Sequence, residues 1–203
     1  MTGFEQFKIW VRYSPITASL LILSILVSLV SNFGNNFQFI HFLLISEYTR
    51  GLSEVMDGQL WRLFTPIIIH FGILHIVFNM VWLYQLGSAI EQHYSIKRMA
   101  ILVVIIALSS NLAELAWSGP LFGGMSGVVY GLLGYIWVQG KFNPHAAIGL
   151  NQNIAIMMLA WFVICWLGLV GNIANMAHTV GLVAGILLGV IYTPRFKMLF
   201  RKR

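Results

Sequence analysis

Charge is what this chain lacks. Asp, Glu, Lys and Arg make up 9% of its 203 residues, while 59% are hydrophobic and the mean hydropathy is +0.83. Soluble domains carry about 25% charged residues, so a water-soluble globule is excluded. Cysteine is almost absent: Cys165, in the apolar run Ile164-Cys165-Trp166-Leu167, stands alone. No internal disulfide can form, and the thiol reads as a small buried hydrophobe. Aspartate occurs once, as Asp57, and there is no H-E-x-x-H motif. His70 and His75 are five apart and off a common helix face, so neither a metal nor another cofactor is implied. The net charge of +6 comes with no nucleic-acid recognition motif. At roughly 20 residues per crossing, the length allows about six or seven spans and no extramembranous domain of ordinary size.

What is there is a series of apolar runs cut by charges and loop residues. Six spans are expected, at about Pro15–Ser31, Gly72–Ile90, Met99–Ala113, Ser126–Gln139, Ile154–Val170 and Met176–Thr193. The first resembles a signal peptide in having Lys8 and Arg12 ahead of it, but no small-residue cleavage site follows and five more spans do. With the N-terminus inside, the inner segments hold Lys8, Arg12, Lys97, Arg98, Lys141, Arg195, Lys197, Arg201, Lys202 and Arg203. The outer loops keep Arg50 and Arg62 against Glu47, Glu54, Asp57 and Glu114. The positive-inside rule therefore places both termini in the cytoplasm, as a short segment of about 1–14 and a basic tail of about 194–203. The loop between the first two spans is long and apolar, and its Phe37–Ile45 stretch suits the outer face of the bilayer. It is either a membrane-embedded functional loop or a surface anchor.

Polar side chains are costly in hydrocarbon, so those inside spans are functional candidates. Four stand out: His75 and Asn79 in the second span, Ser126 opening the fourth, and His178 near the start of the sixth. All three spans enter from the outer side. From Ser126 to Lys141 is 15 residues, from His75 to Glu91 is 16, and from His178 to Arg195 is 17. At about 1.5 Å per residue these rise roughly 22 to 26 Å, which in a core about 30 Å thick puts the three some 4 to 8 Å below the outer surface. The fourth span is too short to cross alone, and Pro120-Leu121-Phe122-Gly123-Gly124-Met125 leads into it. Its helix is expected to begin below the surface, with unpaired N–H groups suited to an anion beside Ser126. Gly127 and Gly131, and the stripe Ala177, Gly181, Gly185 and Gly189, let the fourth and sixth helices approach closely. A Ser126–His178 contact is then geometrically plausible: each feature alone more often serves helix packing, and their coincidence at one depth reverses that balance. His75 and Asn79 share one face and can donate to an oxyanion, or simply join helices.

Together, Gly124-Met125-Ser126-Gly127, Ala177-His178-Thr179-Val180-Gly181 with Gly185, His75-Ile76-Val77-Phe78-Asn79, and Trp61-Arg62 in the first loop resemble the rhomboid intramembrane serine proteases over nearly the whole chain. The soluble hydrolase elbow G-x-S-x-G is absent, since Val128 takes its last position. The resemblance implies a single all-α polytopic domain over residues 1–203 with six transmembrane helices and a membrane-embedded first outer loop. It implies Ser126 as nucleophile, His178 as general base, and Asn79, His75 and the Ser126 N–H as oxyanion hole. Tyr130 would pack on His178, Gly123 and Gly124 would line the substrate strand's path, and Trp61 and Arg62 would anchor the first loop. The fifth span and its loop, around Trp161, Phe162 and Gly168 to Asn172, would be the mobile side for substrate. Only about 14 residues precede the first span, so the folded cytosolic domain of some relatives is not expected.

The spans carrying Ser126 and His178 contain no carboxylate, so a dyad rather than a triad is expected, with a neutral His178 oriented by packing. Ser126, His178, His75, Asn79 and Asn175 would line a wet cavity open to the outer side. The function expected is hydrolysis of transmembrane protein substrates in a bacterial inner membrane, with the bilayer as the other partner and no nucleic acid. No signal for an oligomeric state is present. The alternative from another class is a catalytically silent relative that binds membrane clients. A transporter would show internal repeats and polar groups near mid-membrane, which this chain does not.

Overall fold

Long apolar runs satisfy their backbone hydrogen bonds most simply as helices, and helix is the only regular structure among the described residues. The computed structural model describes residues 2–47, 51–171 and 173–201, so Arg50, Asn172, Lys202 and Arg203 lie outside the described residues. The helices are α1 (Gly3–Tyr13), α2 (Pro15–Val30), α3 (Ser53–Met56), α4 (Ile73–Trp82), α5 (Ser88–His93), α6 (Ile96–Ser118), α7 (Ser126–Phe142), α8 (Gln152–Trp166), α9 (Asn175–Ile191) and α10 (Pro194–Arg201). A π-helical turn at Leu83–Gly87 joins α4 to α5, and short 3-10 turns build the loop between α2 and α4.

The apolar runs thus fold as helices, with shifted ends. α6 runs to Ser118 rather than Ala113, which brings Glu114 inside a helix instead of an outer loop. The segment ahead of α2 is itself helical: Thr2 and Glu5 form a capping box for α1. By length and composition, Ile73–His93 and Ile96–Ser118 can each cross a membrane, and α1 with α2, bent by 111°, makes a third if counted as one span. α7, α8 and α9, at 17, 15 and 17 residues, fall short of the roughly 20 that a free-standing span requires.

The core is built on α7, whose buried face runs from Gly127 to Gln139. Leu102 and Ile106 of α6, Ile76, Met80 and Leu83 of the second span, and Leu188 of α9 pack around it. α8 is peripheral, with only Met158 and Cys165 buried. The long first loop folds around Arg62, which is 1% exposed. Its Nη1 donates to the carbonyls of His41 and Leu44 at 2.8 and 2.9 Å, its Nε to Gln59 Oε1 at 2.7 Å, and Nη2 pairs with Glu47. Trp61 Nε1 donates to the Phe42 carbonyl at 3.1 Å, so both residues of the Trp-Arg pair hold the Phe37–Leu43 turns in place. Thr65 donates to Leu43, and Asn111 of α6 to Leu63, fastening the loop to the bundle.

Candidate active site

Ser126 is the first residue of α7, and the chain ahead of it, from Gly119 to Met125, is not helical. That irregular segment is held from the first loop. The Gly124 N–H donates to the Pro66 carbonyl at 3.0 Å and the Met125 N–H to His70 Nε2 at 3.4 Å. Gly124 has φ +127°, and a Cβ there would meet His75 Nε2 at 2.7 Å, so glycine is required on both counts. Ser126 thereby begins its helix inside the protein, with first-turn N–H groups left over by helix geometry.

His178 lies in the first turn of α9 and is 4% exposed. Its Nε2 is 2.8 Å from Ser126 Oγ. If Ser126 donates, Nε2 accepts and the neutral ring carries its proton on Nδ1, an atom with no hydrogen-bond partner among the described residues. Among the described residues no carboxylate is bonded to the ring. The ring of Tyr130, one turn after Ser126, sits 4.8 Å away in a tilted stack, and the Tyr130 hydroxyl donates to the Met158 carbonyl of α8 at 3.1 Å.

His75 and Asn79 share the face of α4 toward the same space. His75 Nδ1 accepts the Phe71 N–H at 3.2 Å, which leaves the proton of a neutral ring on Nε2, the atom facing Gly124. Asn79 donates one N–H of its amide to the His75 carbonyl at 2.9 Å and keeps a second donor. Ser126, His178, His75, Asn79, Tyr130 and Gly123 all line one cavity of about 780 Å³. Phe78, Trp82, Met157, Trp161 and Ile164 form its apolar side, with Phe78 and Trp161 stacked at 6.0 Å.

Asn175, expected in this cavity, is not among its lining residues: its Nδ2 donates to the Cys165 carbonyl at 3.2 Å, because the α8–α9 turn brings that carbonyl to it. Two residues that bear on the site escaped sequence reading. His70 supports Met125, as above, and its ring lies 5.1 Å from that of His75, so a spacing unsuited to one helix face is bridged by a turn. Glu114, 1% exposed, lines the cavity, accepts the Ala177 N–H at 2.8 Å at the head of α9, and pairs with the Ser118 hydroxyl. The signal for it was available: Ser110, Glu114 and Ser118 are four apart and share one face of α6. Among the described residues no three His, Cys, Asp or Glu side chains are grouped to hold a metal ion.

A rhomboid-domain family model matches residues 57–195, more than two thirds of the chain, and the chain belongs to the rhomboid family. It is similar to the rhomboid protease GlpG of Salmonella paratyphi A, with 39% identity over 142 residues, covering 70% of this chain and 51% of that protein. The GlpG proteins of Salmonella newport and Salmonella typhi match to the same 39% over 142 residues. The chain spans about half the length of these curated relatives, 51% in each case.

Proposed function

We propose that the chain is an intramembrane serine endopeptidase that hydrolyses peptide bonds in or beside transmembrane segments of membrane proteins. The observation that carries this reading is the 2.8 Å contact between Ser126 Oγ and His178 Nε2 inside a cavity walled by apolar helix faces. Residues 1–203 form one domain of six spans in a bacterial inner membrane, α2, α4–α5, α6, α7, α8 and α9, with both termini cytoplasmic and the cavity open to the outer side. The charge distribution supports that orientation. Burial in protein along its length lets α7 serve as a span, and local thinning of the bilayer accommodates the shorter α8 and α9.

In the proposed reaction Ser126 Oγ attacks the scissile carbonyl carbon while its proton passes to His178 Nε2. The negative charge that forms on the carbonyl oxygen is met by His75 Nε2–H, the free N–H of Asn79 and the Ser126 N–H. Collapse breaks the C–N bond as His178 returns the proton to the leaving amine, and water then hydrolyses the acyl-enzyme by the same route. Tyr130 holds the His178 ring in place of a carboxylate. The substrate strand passes Gly123 and Gly124, and substrate enters between α4 and α8, where Phe78 and Trp161 close the cavity.

A transmembrane substrate in vesicles and a serine-directed phosphonate test this reading. Cleavage and labelling are both expected of the wild type and of neither Ser126→Ala nor His178→Ala; full activity in either variant overturns it. The silent client-binder reading is not favoured, since nucleophile and base are both present and in contact.

A further inference from the structure

One end of the molecule gathers surface that the protease chemistry does not use. α1 has eleven residues and none of them is buried. Phe4, Phe7 and Val11 recur at i, i+3 and i+7 with Trp10 beside them, while Glu5, Lys8 and Arg12 recur at the same spacing on another face. Phe4 keeps 65% and Tyr13 59% of their surface.

The attitude of this helix is built in. Trp10 Nε1 donates to Ser88 Oγ at 2.8 Å, and Gln92 Nε2 donates to Ser14 Oγ at 3.0 Å. The buried Glu91 carboxylate accepts the Ile16 and Thr17 N–H groups at 2.9 and 2.8 Å. All of these bonds tie the corner between α1 and α2 to α5, and the corner sets α1 111° from α2. With α2 along the bilayer normal, the 111° bend leaves α1 about 21° from the membrane plane.

Basic residues of other elements meet at the same end. Tyr94 donates to Gln139 at 3.3 Å and Gln139 to the Gly189 carbonyl at 2.7 Å, so the start of α6 with Lys97 and Arg98, the end of α7 with Lys141, and Arg195 of α10 sit together there. Glu5 is bonded to the Thr2 N–H and Glu91 is buried at the corner, and the Lys8 ammonium lies 4.4 Å over the Phe4 ring, at the border of the apolar face. The exposed apolar side chains of α1 lead on to those of α2, including Ile22, Leu26 and Leu29. That continuity with a span, the near-planar attitude and the basic face fit a lipid surface rather than a second protein.

We propose that α1 is an interfacial helix whose apolar side chains enter the acyl region while Lys8 and Arg12 hold anionic lipid headgroups. The proposal rests on the reading of α2 as a span. It is tested with the full chain in a Cys165→Ala background, labelled with a fluorophore at Phe4→Cys, Glu5→Cys or Leu26→Cys and placed in vesicles of phosphatidylcholine and phosphatidylglycerol. Either lipid is brominated in turn. The label at position 4 is expected to be quenched by brominated lipid and shielded from aqueous acrylamide, and the label at position 5 to behave oppositely.

Brominated phosphatidylglycerol should quench position 4 more than brominated phosphatidylcholine at equal mole fraction. A basic residue near an anionic surface contributes about fivefold in affinity, so Lys8→Gln with Arg12→Gln should bring the two lipids toward equality. Exposure of position 4 to acrylamide overturns the proposal. So does shielding from both quenchers, which assigns the face to a second copy, and so does equal quenching by the two lipids in the wild type. A position 26 label that brominated lipid does not quench removes the spanning reading and this proposal with it, an outcome that phosphonate labelling of Ser126 does not share.

Discussion

A methyl group on Gly185 would sit 1.8 Å from the Gly131 carbonyl oxygen, and one on Gly181 2.1 Å from that of Gly127. At these two positions α7 and α9 touch backbone to backbone, and the crossing carries Ser126 and His178 into reach of one another. Gly185→Ala is therefore expected to destabilise the fold by about 1 to 3 kcal/mol and to abolish cleavage with it, since a packed crossing has no slack. Thermal unfolding in detergent checks this against Gly149→Ala, whose new methyl meets nothing within 4 Å. In the proposed oxyanion hole, His75→Ala or Asn79→Ala should each lower kcat roughly 10²- to 10³-fold with KM little changed, as measured on a transmembrane substrate. The small-residue stripes and the four polar residues were legible in the sequence because each is anomalous in hydrocarbon. The spacing of Ser110, Glu114 and Ser118 pointed to Glu114 as well, but only the continuation of α6 to Ser118 takes it out of the loop.

One element depends on a single side chain. The first loop is organised by Arg62, whose planar fork serves two carbonyls, an amide and a carboxylate at once. Lysine offers no such fork, so Arg62→Lys should lower thermal stability nearly as far as Arg62→Ala. In the same loop, partial burial pushes the Glu54 carboxyl up, but the N–H of Glu47, its own N–H and the Ser53 and Ser46 hydroxyls outweigh this and hold it at about 2. A folded pKa below the ordinary 4.5 stabilises the loop above about pH 4.5, and that contribution is lost as pH falls toward about 2. Unfolding temperatures between about pH 5 and pH 2 should fall less steeply in Glu54→Gln than in the wild type. α8 is the opposite case, a helix with two buried residues whose cavity side rests on the Phe78–Trp161 stack and the Tyr130–Met158 bond. An aromatic pair contributes about 0.5 to 1.5 kcal/mol, so Trp161→Ala should raise cleavage in membranes roughly two- to tenfold if admission of substrate limits the rate. The apolarity of the first loop was legible in the sequence, whereas the support that its Pro66 and His70 give to Gly124 and Met125 is a contact between distant segments that no spacing encodes.

For the whole molecule the proposed orientation makes one prediction. Single cysteines at Ser53 and at His145, in a Cys165→Ala background, should react with an impermeant maleimide only from the outer and only from the inner side respectively. The reverse pattern would overturn the orientation while leaving the Ser126–His178 geometry untouched. The sequence by itself determined the class of environment and the helical content, because the free energy of burying apolar side chains and of satisfying backbone groups is local to each run. It also marked Ser126, His178, His75 and Asn79, since polar groups at such positions carry a cost that needs a reason. Only the tertiary structure decided which of them meet. The 2.8 Å contact depends on two glycine stripes crossing, the opening of α7 on a first loop folded around Arg62, and the head of α9 on Glu114 from a third helix. Contacts between residues 52 to 63 positions apart in the chain, set to within an ångström, follow from how whole helices pack and not from the pattern along any one of them.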